Sequence, residues 1–536
     1  MVNPVLGAAC DGGRMVGTSN ANDGVIGSSA HWWERRWVLA ALVVAAAVPL
    51  AWPSLPPLSD LPGHMGRWHI AMALRDSPDL ARYYAFHWAL IPNLGMDLLV
   101  PTLARVVGFE AATKLAVMAI PVLTVIGLLW AAREAHGRVP PTAILAVPLA
   151  YAWPFQFGFV NFTLSQALAF CALALWIRWG REGRFAVRAV AFFAIAFVLW
   201  VSHSFGWGMF GLMAAAAELA RMRAAERGWG AALGTTMLQC LPLAGPVIVM
   251  AAQAGYGAGA GPGAGAGGLG ASDWFNVPIK ALWLLSLFRD RWQAFDLLSL
   301  VPLVLLLYVA VRSPDWGFSR LLGWPAAACL AAFVILPRLL MGGAYVDMRI
   351  APAAMMLALV AIAPPIAARA TRTTALLALL LVAVRLGGTT LSFAERNAEQ
   401  QRELAAIAAI PRGAAVLSLI ARPCGNAWTD LRRDHLPGLA IVRRDVFTND
   451  QWVIAGQQLL SIRHQVAAPY LADPSQSVYP AQCSDIGSNF NAAIAGFPRA
   501  AFTHVWTIGF PPGAAQAADL RVVWTNGSST LYRVVR

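Results

Sequence analysis

Eleven apolar stretches follow one another between residues 37 and 392, so a lipid bilayer is the solvent in which most of this chain must fold. They cover residues 37–52, 111–131, 142–157, 164–179, 187–200, 205–220, 231–253, 295–311, 321–340, 350–368 and 374–392. Each approaches the roughly 17 to 25 residues that a spanning helix requires. Only 12% of the 536 residues are charged and 58% are hydrophobic, whereas a soluble domain carries about 25% charged residues. That balance excludes a disordered chain, a coiled coil and an ordinary soluble enzyme.

The formal charge of +13 would suggest nucleic acid in a soluble protein, but its placement says otherwise. Arg35 and Arg36 precede the first stretch. Arg133 and Arg138, then Arg178, Arg181, Arg184 and Arg188, then Arg221, Arg223 and Arg227, then Arg312, and finally Arg369 and Arg372 occupy alternate connectors. Positive residues on alternate connectors orient a polytopic protein, with the Arg-rich side in the cytoplasm. The expected topology therefore has a cytoplasmic N-terminus and, after an odd number of spans, an extracytoplasmic C-terminal segment, and no nucleic-acid partner.

Residues 393–536 differ in kind. From Glu395 onward, 142 residues carry 23 charges, against 44 in the preceding 394. The expected organisation is a disordered cytoplasmic lead (1–36), a transmembrane body (37–392) with a long first outer loop (53–110), and a small extracytoplasmic α/β domain (393–536). In that domain the pattern predicts a helix over 395–409 and strands over 415–420, 439–442, 502–508, 521–524 and 530–535, the last two closed by the Asn526-Gly527 turn. Residues 254–270 form a Gly/Ala-rich linker whose glycine spacing lacks the strand and helix of a dinucleotide site. Cys171, Cys240 and Cys329 fall in apolar stretches and read as packing residues. Cys424 and Cys483 lie in the exported segment, where they are a candidate disulfide pair, two free thiols being the alternative.

Ionisable residues at membrane depth are costly and tend to be functional. In the first outer loop, Asp60, His64 and Arg67 are spaced i, i+4, i+7, so a helix beginning after Pro62 brings them near one face, with His69 close by. The same loop supplies His87 and Asp97. Two further outer turns carry His203, and Asp347 with Arg349. If these turns converge, they surround one aqueous cavity. The structural alternatives are an N-cap role for Asp60, an interfacial place for His203 and a local ion pair for Asp347 and Arg349.

The stretches Asp60-Leu61-Pro62-Gly63-His64, Pro92 to Leu99 (PNLGMDLL), Gly158 to Phe162 (GFVNF), His203-Ser204-Phe205-Gly206, Asp347-Met348-Arg349 and Val522 to Gly527 (VVWTNG), with the long acid-bearing first loop, together resemble the GT-C superfamily of integral-membrane glycosyltransferases. The likeness extends over nearly the whole chain, within a bacterial subgroup of GT-C-like proteins. It implies an α-helical polytopic fold in a bacterial inner membrane with a periplasmic C-terminal domain. It also implies a polyprenyl-phosphate-linked sugar as donor and an envelope acceptor. On this resemblance Asp60 matches the first-loop acid that serves as general base or as a metal-linked catalytic group. His64, Arg67, His69, His203, Asp347 and Arg349 bind substrate or its phosphate, with His87 and Asp97 as further candidates. A divalent cation would be held by Asp60 and His64. Many members carry a second acid beside the first, where this chain has Leu61. Two other functions remain: a transporter or flippase of a lipid-linked or small polar substrate, and a GT-C-like scaffold without activity. Transport calls for charges at the bilayer midplane and broken helices in matching halves, and the apolar stretches supply almost no buried charge.

Overall fold

A computed structural model describes residues 31–257, 270–340, 343–363, 368–425, 427–429, 432–454, 458–483 and 488–535. Residues 1–30 of the expected lead and 258–269 of the Gly/Ala-rich linker lie outside the described residues. The body is a helical bundle. Among the described residues six helical segments are long and apolar enough to cross a membrane: Phe109–His136, Val160–Arg181, Phe185–Ser202, Trp229–Ala252, Gln293–Arg312 and Arg369–Ala409. Of the other expected stretches, 205–220 falls on the 21-residue helix Ser204–Ala224, and the rest fall on shorter helical segments among the described residues. In chain order the elements that build the site are α1 (Leu61–Ala73), α2 (Phe109–His136), α3 (Val160–Arg181), α4 (Phe185–Ser202), α5 (Ser204–Ala224), α6 (Arg320–Ile335), α7 (Val346–Ala361), α8 (Ala368–Leu404) and α9 (Gly438–Arg444).

The stretch at 142–157 departs from the expected span. It is a 3-10 helix, Pro141–Tyr151, followed by the short α-helix Trp153–Phe157. Pro141, Pro148 and Pro154 supply no amide hydrogen, which weakens α-helical pairing along the run. Every residue from Thr142 to Gln156 is buried, so this segment is a central post of the bundle and presents no face to lipid.

Buried charge is more abundant in the body than the sequence suggests, and it is paired. Arg188 on α4 meets Glu218 on α5 at 3.1 Å, Lys280 meets Asp347 at 3.2 Å, and Arg385 on α8 meets Asp296 at 2.9 Å. Leaving any of these charges alone in an apolar bundle would cost several kcal/mol.

Helix α8 is 37 residues long, about 55 Å at 1.5 Å per residue, nearly twice the hydrocarbon thickness. It passes through residue 393 without a break and carries Glu395, Glu399 and Arg402 on its distal part. The C-terminal segment is therefore held on a continuous helix. Its six-stranded sheet uses β2 (Ala415–Ala421), β3 (Phe447–Thr448), β5 (Ser477–Val478), β6 (His504–Ile508), β7 (Leu520–Thr525) and β8 (Ser529–Val534), in the order β7-β8-β6-β2-β3, with β5 also paired to β2. β6, β3 and β5 run parallel to β2, while the β7–β8 hairpin is antiparallel. Residues 439–442, expected as a strand, are instead in α9. A four-residue apolar run fits either state, and here packing against α1 decides it: Gly438 sits against the Pro62 carbonyl with no space for a side chain. A second contact joins loop and tail. β1 (Tyr84–Phe86) pairs antiparallel with β4 (Leu460–Ile462).

At the start of α5, Gly206 crosses α3 so closely that a Cβ there would overlap the Ser165 side chain. Gly206→Ala is expected to destabilise the protein by about 1–3 kcal/mol through overpacking. Gly208→Ala and Gly211→Ala, on the same helix with nothing within 4 Å, should change stability by no more than about 0.5 kcal/mol. Thermal unfolding of the detergent-solubilised protein checks the contrast.

Candidate active site

A cavity of about 910 Å³ opens where the bundle meets the C-terminal segment. Its walls come from Asp60 and His64 at the start of α1, from Asn161 and Phe162 on α3, and from the α4–α5 turn at His203–Phe205. Tyr345 and Arg349 at the start of α7 and Arg422, Asp434, His435, Trp452, Gln458 and Asp473 of the C-terminal segment complete it. Asp60, His203 and Arg349, from three separate turns, thus surround one space.

Asp60 is fixed by its backbone. Its amide donates to the Phe157 carbonyl at 2.9 Å, beside Ser59, whose amide donates to Gln156. This approach needs glycine next door. Gly158 adopts φ +104°, and a Cβ there would lie 2.7 Å from the Asp60 nitrogen. Asp60 occupies the N-cap position of α1, yet its side chain accepts no capping hydrogen bond. Its carboxylate lines the cavity instead. One turn on, the His64 ring leans on Trp452 with centroids 4.9 Å apart, and its Nδ1 has no hydrogen-bond partner. Burial first, then the charges of Arg67 and His435, hold the His64 pKa well below 6.5, so the ring is neutral at pH 7.

Across the cavity lies a cluster of donors. His203 caps α5, its Nδ1 accepting the Phe205 amide at 3.1 Å. An amide only donates, so the proton of the neutral ring belongs on Nε2. That Nε2 lies 2.9 Å from Arg349 Nη1, which also only donates. Arg349 Nε has no hydrogen-bond partner, and the guanidinium rests over Phe159 at 4.2 Å, with Phe162 and Phe205 at 5.6 Å. Two donors face each other against aromatic walls at the N-terminus of a 21-residue helix. An anionic oxygen accepting from both relieves that confrontation, and the helix end adds to the attraction.

The other sequence candidates are placed elsewhere. Arg67 forms a two-pronged ion pair with Asp97, both bonds 2.9 Å, and donates to Gln458 at 2.7 Å. Both partners are buried, so Arg67 and Asp97 pin α1 and leave no guanidinium for a ligand. His69 contacts Asp445 at 2.8 Å, which also bonds Ser77 and Arg412. Asp347 is bound by Lys280 and by the Met348 amide, away from the cavity lining; the expected Asp347–Arg349 pair is not formed. His87 is exposed beyond β1. Among the described residues no group of three or more His, Cys, Asp or Glu is arranged to hold a metal ion. Asp60 and His64, the expected divalent-cation pair, both line the cavity, and no chemistry is assigned to a cation there.

The C-terminal residues of the cavity lie outside the sequence candidates. Arg422 pairs with Asp434 at 2.8 Å, and the His435 ring lies tilted against Trp452, with centroids 4.1 Å apart. The signal available was the dense charge run Arg432-Arg433-Asp434-His435, which resembles ordinary surface polarity. Cys424 and Cys483 are joined in a disulfide, closing the segment that carries these residues.

No protein-family model matches the chain, and no curated protein matches it. Two crystal structures of ArnT from Cupriavidus metallidurans resemble it. The apo state gives a TM-score of 0.50 at 15% identity. The form bound to undecaprenyl phosphate gives 0.48 at 14% identity, and each alignment covers 92% of this chain and 97% of that one. At this identity the likeness is one of fold: the bundle and its C-terminal segment together share the overall fold of the apo ArnT structure.

Asp97→Ala would strand the Arg67 charge in the interior. The expected loss is about 3–5 kcal/mol, read as a lowered melting temperature in detergent, whereas His87→Ala should leave stability within about 0.5 kcal/mol of the parent.

Proposed function

We propose that this protein is a membrane glycosyltransferase that moves a sugar from a polyprenyl-phosphate donor to an envelope acceptor at the outer leaflet of a bacterial inner membrane. In this reading the N-terminus is cytoplasmic and the C-terminal segment is periplasmic, as the Arg-rich connectors favour. The observation that carries the proposal is the polarity of the cavity: an acid at one end, Asp60, and an anion-seeking donor pair at the other, Arg349 with His203.

Glycosyl transfer needs both. As the acceptor oxygen bonds to the sugar carbon, its O–H bond breaks and the proton passes to the Asp60 carboxylate. The bond from that carbon to the phosphate oxygen breaks, and its electron pair leaves with the phosphate. Arg349, His203 Nε2 and the N-terminus of α5 stabilise the negative charge that develops. The aromatic walls exclude water and strengthen these interactions. Arg67, the other candidate for the phosphate, is committed to Asp97.

Asp60→Asn is expected to lower the transfer rate by about 10²–10⁴-fold, with expression and folding intact. Arg349→Ala should weaken donor binding by roughly 10- to 100-fold, the worth of a charged hydrogen bond. Arg349→Lys should recover part of it, because the charge remains while the planar fork is lost. The assay is sugar transfer from radiolabelled polyprenyl-phosphate sugars in proteoliposomes. An Asp60→Asn protein of full activity overturns the base assignment. Movement of the labelled lipid across the bilayer without transfer would make the protein a flippase, and neither activity would leave a scaffold.

A further inference from the structure

His435 comes from the C-terminal segment, 375 positions after Asp60, and its ring is held from several sides. Nδ1 lies 2.8 Å from the Asp450 carbonyl oxygen. A carbonyl only accepts, so Nδ1 carries a hydrogen. Nε2 then faces two carboxylates, Asp473 Oδ1 at 3.7 Å and Asp60 Oδ1 at 3.9 Å. A lone pair at Nε2 would confront both negative charges. A second proton there turns the confrontation into attraction. The Asp450 carboxylate lies 4.0 Å from Nδ1 on the other side, and burial pushes its pKa up to about 7. The other ionisable groups around the pair are His64, kept neutral chiefly by burial, Asp434, paired with Arg422, and Arg349, whose charge also acts on Asp60 and is unaltered in the variants tested below. The ring cannot swing away: Trp452 covers one face, and a Cβ at Gly63 would come within 3.0 Å of His435 Cβ.

We propose that His435 is the positioning residue for Asp60: as an imidazolium held by the C-terminal segment, it keeps the Asp60 carboxylate ionised and aimed into the cavity. The catalytic base named above is thus completed only when the C-terminal segment is docked on the bundle. The inference rests on the glycosyl-transfer reading for its role in catalysis, while the Asp60–His435 coupling itself can be measured without any transfer.

The test uses the full-length protein in detergent. A water-soluble carbodiimide with an amine nucleophile labels protonated carboxyls, and mass spectrometry of the Asp60 peptide reports labelling against pH. In His435→Gln and His435→Asn the onset of Asp60 labelling is expected to rise by about one pH unit, the lower end of the effect of removing a nearby opposite charge. His435→Lys, which restores the charge, should bring the onset back toward that of the parent. Two neutral variants are used so that one poorly folded protein does not decide the matter, and size-exclusion profiles establish which are folded. In the transfer assay the neutral variants should lose roughly tenfold in kcat, with KM for the lipid donor within about twofold. The acid limb of the rate profile should move upward with the labelling onset. An unchanged onset in the folded neutral variants, or a Lys variant indistinguishable from Gln, overturns the inference. If the parent transfers no sugar but the onset still moves with the charge at residue 435, the coupling stands and the glycosyltransferase reading fails.

Discussion

A single buried arginine ties four parts of this protein together. Arg432 is fully buried, and its guanidinium donates to the Pro57 carbonyl at 2.6 Å, to the Gln156 side chain and to Asp290 at 2.7 Å. Asp290 also receives Ser392 at 2.9 Å and pairs with Arg396 at 3.4 Å, both on α8. The first loop, the central 3-10 post, the long final helix and the C-terminal segment thus meet at one ion cluster. Arg432 adopts φ +52° to do so, a conformation that costs on the order of 1–3 kcal/mol in a residue with a side chain and persists only where its surroundings over-determine it. Pro57 and Gln156 are the immediate neighbours of the strands of chain that fix Asp60. The cluster is therefore what allows a carboxylate on a loop to be as well placed as one on a helix.

From that anchor the cavity acquires two unlike ends. Donors gather where α5 and α7 begin, and acids gather where α1 meets the C-terminal segment. Between them the walls are aromatic. In so apolar a space an unpaired charge is expensive, so each end has a mutual arrangement: Arg349 against His203, and Asp60 with Asp473 around His435. The donor end is strained by facing like against like, whereas the acid end is relieved by the ring between the carboxylates. A molecule with an anionic group and a hydroxyl would complement both ends, which is the basis of the proposed glycosyl transfer.

The membrane class, the helical polytopic fold and four of the cavity residues, Asp60, His64, His203 and Arg349, were legible in the sequence because bilayers impose long apolar runs and make isolated polar residues conspicuous. Asp60, His203 and Arg349 stand at the ends of such runs. Their partners were not legible. The i, i+4, i+7 spacing placed Arg67 on the face of Asp60 and His64, but spacing within one helix cannot tell that Asp97, thirty residues on, captures the guanidinium. Asp347 next to Arg349 suggested a pair, and Lys280 took it. The helix at 438–444 was read as a strand because the contact with α1 that decides it lies nearly four hundred residues upstream. His435 and Trp452 escaped for a related reason: a C-terminal segment of ordinary polarity offers no contrast against which a functional residue stands out.

What separates structural from functional charge here is the identity of the neighbour. Arg67, Arg188, Lys280, Arg385 and Arg432 all end on carboxylates, so each charge is neutralised where it stands. Such pairs hold helices in register and have little attraction left for a ligand. Arg349 lines the cavity, and its Nη1 lies 2.9 Å from a histidine nitrogen that must donate in the opposite direction. An anionic oxygen placed between Arg349 and His203 would accept from both. The placement of this pair is a property of the fold itself, since His203 is held by the first turn of α5, whose crossing against α3 leaves no free space for a Cβ at position 206.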